Sequence, residues 1–257
     1  MLITKIQKLK NNKYNLIIDG EKIITYDNVI LDNNLLYKKV IDKDLYNKII
    51  EDTNFYDVYN VVVKYIMKKR RSEKEINEYL KKYNLESNKK DIIISKLKSI
   101  KLIDDIGFCK AYINDNIYLS KKGINKIKME LLNHNIPLNI IEQELKGVDN
   151  NLLDERLNRL ILKKINSNHK YSNSFLKQKI VNEMINLGYD KEKILKIVNE
   201  NLNDEDNILE KEFEKLYIKL SKKYNNLELY KNIKTKLLYK GFNIDDINNI
   251  IEKKQKN

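Results

Sequence analysis

The feature that most constrains this chain is an internal repeat with a period of about 53 residues. The phrase LLYKGFNIDDINNII (residues 237–251) resembles MINLGYDKEKILKIV (184–198) and LLNHNIPLNIIEQEL (131–145), with a fainter copy over 79–97. Each copy has the pattern of a helix end, a tight turn and the start of another helix. Repeats of this length are typical of modular proteins in which each unit packs against its neighbours.

The predicted helix ends divide the chain into repeats. Glycine or asparagine in the left-handed conformation ends many helices, and the candidates Asn84, Asn135, Gly188 and Gly241 are almost evenly spaced. We therefore predict a mainly α fold of four tandem three-helix repeats in an elongated curved array, preceded by a small β element. The predicted segments are a β-rich segment with a short helix at 1–53 and repeats at 54–103, 104–148, 149–203 and 204–257.

The first residues have strand character. Alternation of apolar and other residues over 14–18, followed by Asp19-Gly20, predicts a hairpin with a two-residue turn and a return strand over 22–26. Because a lone hairpin is only marginally stable in water, we expect it to pair with residues 2–9 and to contact the next helix.

Several helix starts are predicted from capping residues. Asp42 is a predicted N-cap, and Ser72 with Glu75 forms a predicted capping box. The buried face after Asp42 is predicted to contain Leu45, Ile49 and Ile50. The inner face of the second helix of repeat two is predicted to contain Ile124, Ile127, Leu131 and Leu132.

The overall charge favours an anionic partner. The 257 residues carry a net charge of +13, and nucleic acid is the first expectation for such a chain. Only four of the 50 basic residues are arginines, namely Arg70, Arg71, Arg156 and Arg159. This skew is typical of an AT-rich genome, in which lysine occupies sites where arginine would otherwise stand.

The compartment is predicted from cysteine content and hydropathy. Cys109 is the only cysteine, so no intrachain disulfide can form, which suits a reducing cytosol. The start MLITKIQKLK differs from a signal peptide, and no run approaches the ~18 apolar residues that cross a bilayer. We expect a cytoplasmic protein without a membrane partner.

Catalytic and metal sites are not predicted. The acidic pairs at 104–105 and 245–246 stand at expected helix starts, where carboxylates cap free N–H groups. His134 and His169 lack a cysteine partner at ligand spacing, and Cys109 falls on an apolar face. We predict no enzyme activity and no cofactor.

The candidate binding residues are basic. Each group is either a solvated helix face or a contact to phosphates or an acidic protein surface, and both interpretations stay open. The candidates are Lys68, Lys69, Arg70, Arg71, Lys121, Lys122, Lys126, Lys128, Lys163, Lys164, Lys222, Lys223, Lys234 and Lys236. Most of the 17 tyrosines lie on apolar stripes and are expected to pack, with Tyr83 and Tyr118 as less clear cases.

Three segments resemble a known family in order and spacing. KRRSEKEINEYL (69–80), LIDDIGFCKAYI (102–113) and KKGINKIKMELLNHNIP (121–137) resemble conserved segments of RecX proteins, the regulators of the RecA recombinase. YNLIIDGEKI (14–23) also resembles the strand segment of longer members. The resemblance is specific over about residues 55–145. Cys109 stands where alanine is usual, Asn135 where glycine is usual, and lysine replaces several arginines, which keeps charge but loses bidentate phosphate geometry.

The resemblance implies a function. Members of this family are non-enzymatic, bind the RecA–DNA filament in its groove, limit filament growth, and dampen ATP hydrolysis and strand exchange in homologous recombination and DNA repair. Many also bind single- or double-stranded DNA weakly. By this resemblance we expect a monomer whose partners are the RecA filament and DNA. The alternatives are a basic helical-repeat DNA-binding protein without a recombinase partner and a protein-interaction scaffold.

Overall fold

The computed structural model describes residues 1–202 and 206–256, and these are mainly helical with one small sheet. This confirms the predicted mainly α fold with a small N-terminal β element. The strands are β1 (Ile3–Lys8), β2 (Lys13–Ile18) and β3 (Glu21–Tyr26). The helices are α1 (Asp27–Asp32), α2 (Lys43–Lys68), α3 (Glu73–Leu80), α4 (Ser87–Ser99), α5 (Asp105–Leu119), α6 (Ile124–Asn133), α7 (Leu138–Leu145), α8 (Asn150–Asn166), α9 (Asn173–Asn186), α10 (Lys191–Asn201), α11 (Asp206–Leu220), α12 (Asn226–Leu238) and α13 (Ile244–Lys256).

The N-terminal sheet is an antiparallel meander in the order β1-β2-β3. Asp19 and Gly20 both have positive φ, so the predicted two-residue hairpin turn between β2 and β3 is confirmed. β1 pairs with β2, as expected. Leu16 and Ile18 on β2 are fully buried in the same core as residues of α2, which supplies the support that an isolated hairpin lacks.

Helix α2 is one continuous helix of 26 residues. Its N-cap is Asp42, whose carboxylate accepts from the Leu45 amide at 2.7 Å, as predicted. The helix runs through residues 53 and 54, so the segment boundary predicted there falls inside a helix. Ile49 is buried, but Ile50 is exposed, so its predicted burial was wrong. Adjacent helical residues point about 100° apart, which is why both cannot face one core.

The next helix starts as the sequence predicts. Ser72 Oγ accepts from the Glu75 amide, and the Glu75 side chain accepts from the Ser72 amide, which confirms the capping box of α3. Three helices correspond to each of the four predicted repeats, namely α2–α4, α5–α7, α8–α10 and α11–α13, although α2 begins at Lys43, before the predicted start of the first repeat. The predicted boundary at 203/204 lies outside the described residues.

Three of the four predicted left-handed helix stops are confirmed. Asn135, Gly188 and Gly241 have φ of 61°, 89° and 83°. The prediction for Asn84 was wrong, because its φ is not positive. Helix α3 ends instead in tight turns in which the amides of Lys82 and Tyr83 donate three residues back, so a left-handed residue is not required.

Two of the left-handed turns also form hydrogen bonds with the start of a helix in the preceding repeat. In the unit formed by residues 109–133 and 137–257, the Gly123 amide donates to the Leu187 carbonyl at 2.7 Å, and the Asn125 amide donates to the Gly188 carbonyl at 3.1 Å. The free N–H groups at the start of α6 are thus satisfied by the turn after α9. A Cβ on Gly188 would lie 2.3 Å from the Lys126 backbone nitrogen, so the contact requires glycine.

The same contact recurs one repeat later in that unit. The Ser172 amide at the start of α9 donates to the Lys240 carbonyl at 3.0 Å, in the turn after α12. A Cβ on Gly241 would lie 2.5 Å from the Phe175 Cβ. In the unit of residues 109–133 and 137–257, the turn of one repeat therefore caps the middle helix of the repeat before it. In the other unit, formed by residues 1–108 and 134–136, the corresponding contact is between side chains: Ser72 Oγ lies 3.2 Å from His134 Nδ1.

Candidate basic interaction surface

The basic candidates divide into two groups in the structure. The first group is exposed and, among the described residues, makes no side-chain hydrogen bond or ion pair in the structure. It contains Lys68, Lys69, Lys121, Lys163, Lys222, Lys223 and Lys236. These lysines occur in all four predicted repeats, and their positive charge is directed to solvent, where it is available to a partner.

The lysines of the second group make contacts within the fold. Lys122 pairs with Glu130 at 2.6 Å, Lys128 with Glu142 at 2.8 Å and Lys164 with Glu183 at 2.6 Å, and Lys234 donates to Asn248 at 2.8 Å. Most of these pairs join neighbouring helices of one repeat. Lys126 is half-buried and its backbone lies against the Gly188 turn. The sequence predicts that these residues are charged but does not predict these partners.

The two arginines of the first basic run differ from the lysines before them. The Arg71 guanidinium lies 4.2 Å from the Tyr65 ring centroid and pairs with Glu75 at 3.1 Å. Tyr65 stacks in turn on Tyr79 at 3.9 Å, with the rings 5° from parallel. Arg70 is exposed, but its Nη1 and the carboxylate of Asp104 both lie against Gly107. Arg71 therefore contributes mainly to packing between α2 and α3.

The ion pair between Lys122 and Glu130 affects the pKa of the Glu130 carboxylate. Burial acts to raise the pKa of Glu130, but hydrogen bonds from Lys122 and Tyr112 and the charges of Lys122 and Lys126 outweigh it. The pKa of Glu130 therefore lies below its ordinary value of 4.5. Tyr112 donates to Glu130 at 2.6 Å, so α5 and α6 are joined at this carboxylate.

We expect Glu130→Gln to reduce the pH dependence of stability. A folded-state pKa below the unfolded one means that the Glu130 carboxylate stabilises the fold above about pH 4.5 and loses this contribution as the pH falls through the folded-state pKa. Urea unfolding at neutral pH and near pH 4 should show a smaller difference for the variant than for the wild type. Glu78→Gln, at an exposed position, is the control. Equal pH dependence in the variant and the wild type would contradict this role of Glu130.

The acidic pairs act as helix caps where the structure defines their contacts. Asp104 accepts from the Gly107 amide at 2.9 Å at the start of α5, and Asp105 accepts from the Glu73 amide at 2.9 Å at the start of α3. Burial raises the pKa of Asp105. Asp245 and Asp246 lie in the first turn of α13, where they face the positive end of the helix dipole.

The single cysteine and most tyrosines serve packing. Cys109 is fully buried, as predicted. In the ranges 1–202 and 206–256 no three His, Cys, Asp or Glu side chains are grouped as metal ligands require. Tyr83 donates to Tyr79 at 3.1 Å and joins the stacked rings. Tyr118 differs from these, since it is 70% exposed at the end of α5.

Fold and surface together define a class: this is a helical-repeat protein with a small N-terminal sheet and basic side chains exposed on every repeat. Within the described residues, no helix combines the length and apolar character needed to span a bilayer.

Comparison with known proteins places the chain in a family. No family model matches it. It is 31% identical over 254 residues to Regulatory protein RecX of Streptococcus agalactiae serotype III (strain NEM316), covering 96% of this chain and 97% of that protein. It is also 31% identical over 255 residues to Regulatory protein RecX of Streptococcus pneumoniae (strain CGSP14), with the same coverage. The chain belongs to the RecX family of regulatory proteins.

Solved structures agree with this fold. A crystal structure of regulatory protein RecX has a TM-score of 0.67 and 21% identity, and the match covers 78% of this chain and 99% of that one. The crystal structure of RecX from Lactobacillus salivarius has a TM-score of 0.51 and 26% identity, over 57% of this chain and 96% of that one. The likeness therefore extends over nearly the whole of both solved chains.

Proposed function

We propose that this protein binds the RecA–DNA filament in its groove and inhibits filament growth, ATP hydrolysis and strand exchange. It acts by binding, as a cytoplasmic monomer, without catalysis of its own. Its partners are RecA and, more weakly, single- or double-stranded DNA. Similarity to regulatory proteins named RecX along 96% of the chain supports the regulatory part of this proposal.

One structural observation carries the proposal of an anionic partner. Each repeat has exposed lysines without an ion pair among the described residues, next to lysines that are paired within the fold. Unpaired cations repeated on successive modules offer many weak contacts to a partner that is itself a repeating polyanion. Such contacts weaken steeply with salt, because each phosphate contact displaces bound counterions.

The proposal of an anionic partner can be tested at the C-terminal end of helix α2. Lys68 and Lys69 end this helix, are exposed, and make no side-chain hydrogen bond or ion pair with other described residues. A negative charge at either position would face the phosphates or acidic residues of a filament and repel them. The fold would lose only the small contribution of Lys68 to the helix dipole, about 0.3–1 kcal/mol.

The experiment measures ATP turnover and strand exchange by RecA filaments on single-stranded DNA as this protein is added. We expect inhibition at stoichiometric amounts. We expect the double variant Lys68→Glu with Lys69→Glu to need about tenfold more protein for the same inhibition, because like charges repel at the contact. The control, Lys5→Glu with Lys8→Glu on β1, makes the same change in net charge at exposed positions of the sheet.

Each result has a defined meaning. Unchanged ATP turnover and strand exchange with the wild-type protein would refute the proposed function. A salt-sensitive shift of DNA in the absence of RecA, together with that negative result, would favour the alternative of a DNA-binding repeat protein. Equal loss in the α2 variant and the β1 control would mean that net charge acts, and not the end of α2.

A further inference from the structure

The scarcity of arginine makes each arginine informative. Only four of the 50 basic residues are arginines, although lysine supplies the same charge. Arginine differs in its planar guanidinium, which stacks on rings and donates in a fork. Arg71 uses this plane to stack on Tyr65, and Arg70 lies against Gly107 beside Asp104. An arginine in this lysine-rich chain therefore marks a position where the guanidinium geometry has a use.

The guanidinium of Arg156, on α8, donates two hydrogen bonds through its two terminal nitrogens. It is nearly buried, and Nη1 donates to the Ser120 carbonyl at 2.6 Å while Nη2 donates to the Ile117 carbonyl. These are carbonyls at the end of α5, which have no partner inside that helix. A cation at this negative helix end is also favoured by the dipole. Arg156 thereby holds the end of α5 against α8, and with it the neighbouring Tyr118.

Arg159 is the arginine without such a role. It lies three residues after Arg156, on the same face of α8. It is exposed, and within residues 1–202 and 206–256 its guanidinium makes no hydrogen bond or ion pair in the structure. Burial raises the pKa of Tyr189, and the charges of Arg156 and Arg159 oppose this increase without reversing it. The fold does not explain why arginine stands here.

Arg159 and Tyr118 share one cavity. This open cavity has a volume of about 490 Å³. It is lined by Ile117, Tyr118, Leu152, Glu155, Arg156 and Arg159. Tyr118 is 70% exposed and makes no ring contact with other described residues in the structure. A free aromatic face and a free guanidinium on the wall of one cavity are the two groups that bind a nucleotide in a single strand.

We propose that Tyr118 and Arg159 form a binding site for single-stranded nucleic acid, in which the Tyr118 ring stacks on a base and Arg159 binds a phosphate through two hydrogen bonds. Exposed lysines follow both parts of the site closely along the chain. Lys163 follows Arg159 by one helical turn, and Lys121 follows Ser120, which Arg156 binds. These cations continue the contact along the sugar–phosphate backbone.

The site should prefer single strands to duplexes. Bases in a duplex are stacked on one another and paired, so their faces are not available to Tyr118, whereas those of a single strand are. The inference rests on the proposed function, because a protein that regulates a recombinase filament on single-stranded DNA meets such a strand. The proposed site specifies which residues contact DNA and that the DNA bound there is single-stranded.

The test measures fluorescence anisotropy of a labelled oligothymidylate with the full-length protein at low salt, without recombinase. We expect Tyr118→Ala to weaken binding about fivefold or more, the range measured for loss of one base–aromatic stack. Tyr118→Phe keeps the ring and should bind as the wild type does. Arg159→Lys keeps the charge but should bind less tightly, because a fork of two donors is lost. Tyr239→Ala is the control, since Tyr239 is 79% exposed in the fourth repeat.

The outcomes separate this site from the proposed function. If the wild type inhibits the recombinase but Tyr118→Ala and Arg159→Lys bind the oligonucleotide as tightly as it does, the site is refuted and the function stands. If those variants lose binding while the wild type leaves the recombinase unaffected, the site stands and the function fails. No binding by the wild type, or equal affinity for a duplex of the same length, would also refute the site.

Discussion

Replacement of Gly188 by alanine is expected to destabilise the fold by about 2–6 kcal/mol. A residue other than glycine at φ of 89° costs about 1–3 kcal/mol. A Cβ only 2.3 Å from the Lys126 backbone nitrogen forces backbone movement, which costs a further 1–3 kcal/mol or so. Because that backbone belongs to α6, the strain cannot be relieved by rotation of a side chain.

The measurement is urea unfolding combined with amide hydrogen exchange at Gly123. The Gly123 amide donates to the Leu187 carbonyl at 2.7 Å, so its exchange should accelerate in the variant if the contact between the two repeats opens. Gly147→Ala is the matched control, since its Cβ would meet nothing closer than the Glu144 carbonyl at 3.7 Å. A loss below about 1 kcal/mol in Gly188→Ala, with unchanged exchange, would show that the turn adjusts freely.

Replacement of Leu131 by alanine is expected to cost about 2–5 kcal/mol. Leu131 is fully buried on α6 together with Ile127. Removal of three carbon atoms from a closed core loses their transfer free energy and leaves a cavity whose walls lose contacts. Calorimetry and urea unfolding should both show the loss.

Leu132→Ala is the control beside it. Leu132 is 44% exposed, so the same chemical change should cost less than about 1 kcal/mol. The helical periodicity predicts both leucines on the inner face, and for Leu132 this prediction was wrong. Residues 124, 127 and 131 follow helical spacing, which leaves the next residue turned by about 100° toward solvent. Equal costs for the two variants would mean that the core of repeat two extends around α6.

Local chemistry accounts for the predictions that succeeded. The turn at Asp19-Gly20, the cap at Asp42 and the capping box at Ser72 each depend on residues within four positions of one another. The confirmed stops at Gly188 and Gly241 likewise follow from a local backbone preference. The wrong stop at Asn84 shows the limit of this reasoning, since a helix can also end in tight hydrogen-bonded turns.

The partners of the ion pairs were beyond prediction from the sequence. Lys121 and Lys122 are adjacent and chemically identical, yet the first is exposed and the second binds Glu130. Ion pairing depends on which helices come together, and charge alone does not encode this. The cavity beside Arg159 was missed for the same reason, although the rarity of arginine was a visible signal.

The sequence by itself determined the class of fold, several helix starts, most of its repeat turns and its positive charge, because these follow from periodicity, capping and composition within short stretches of chain. Only the tertiary structure decided which of the candidate lysines pair within the fold, that Gly188 and Gly241 join successive repeats, and that Arg156 brings Tyr118 beside Arg159. The physical reason is distance along the chain. Ser120 and Arg156 are 36 residues apart, and only packed helices bring such residues into contact.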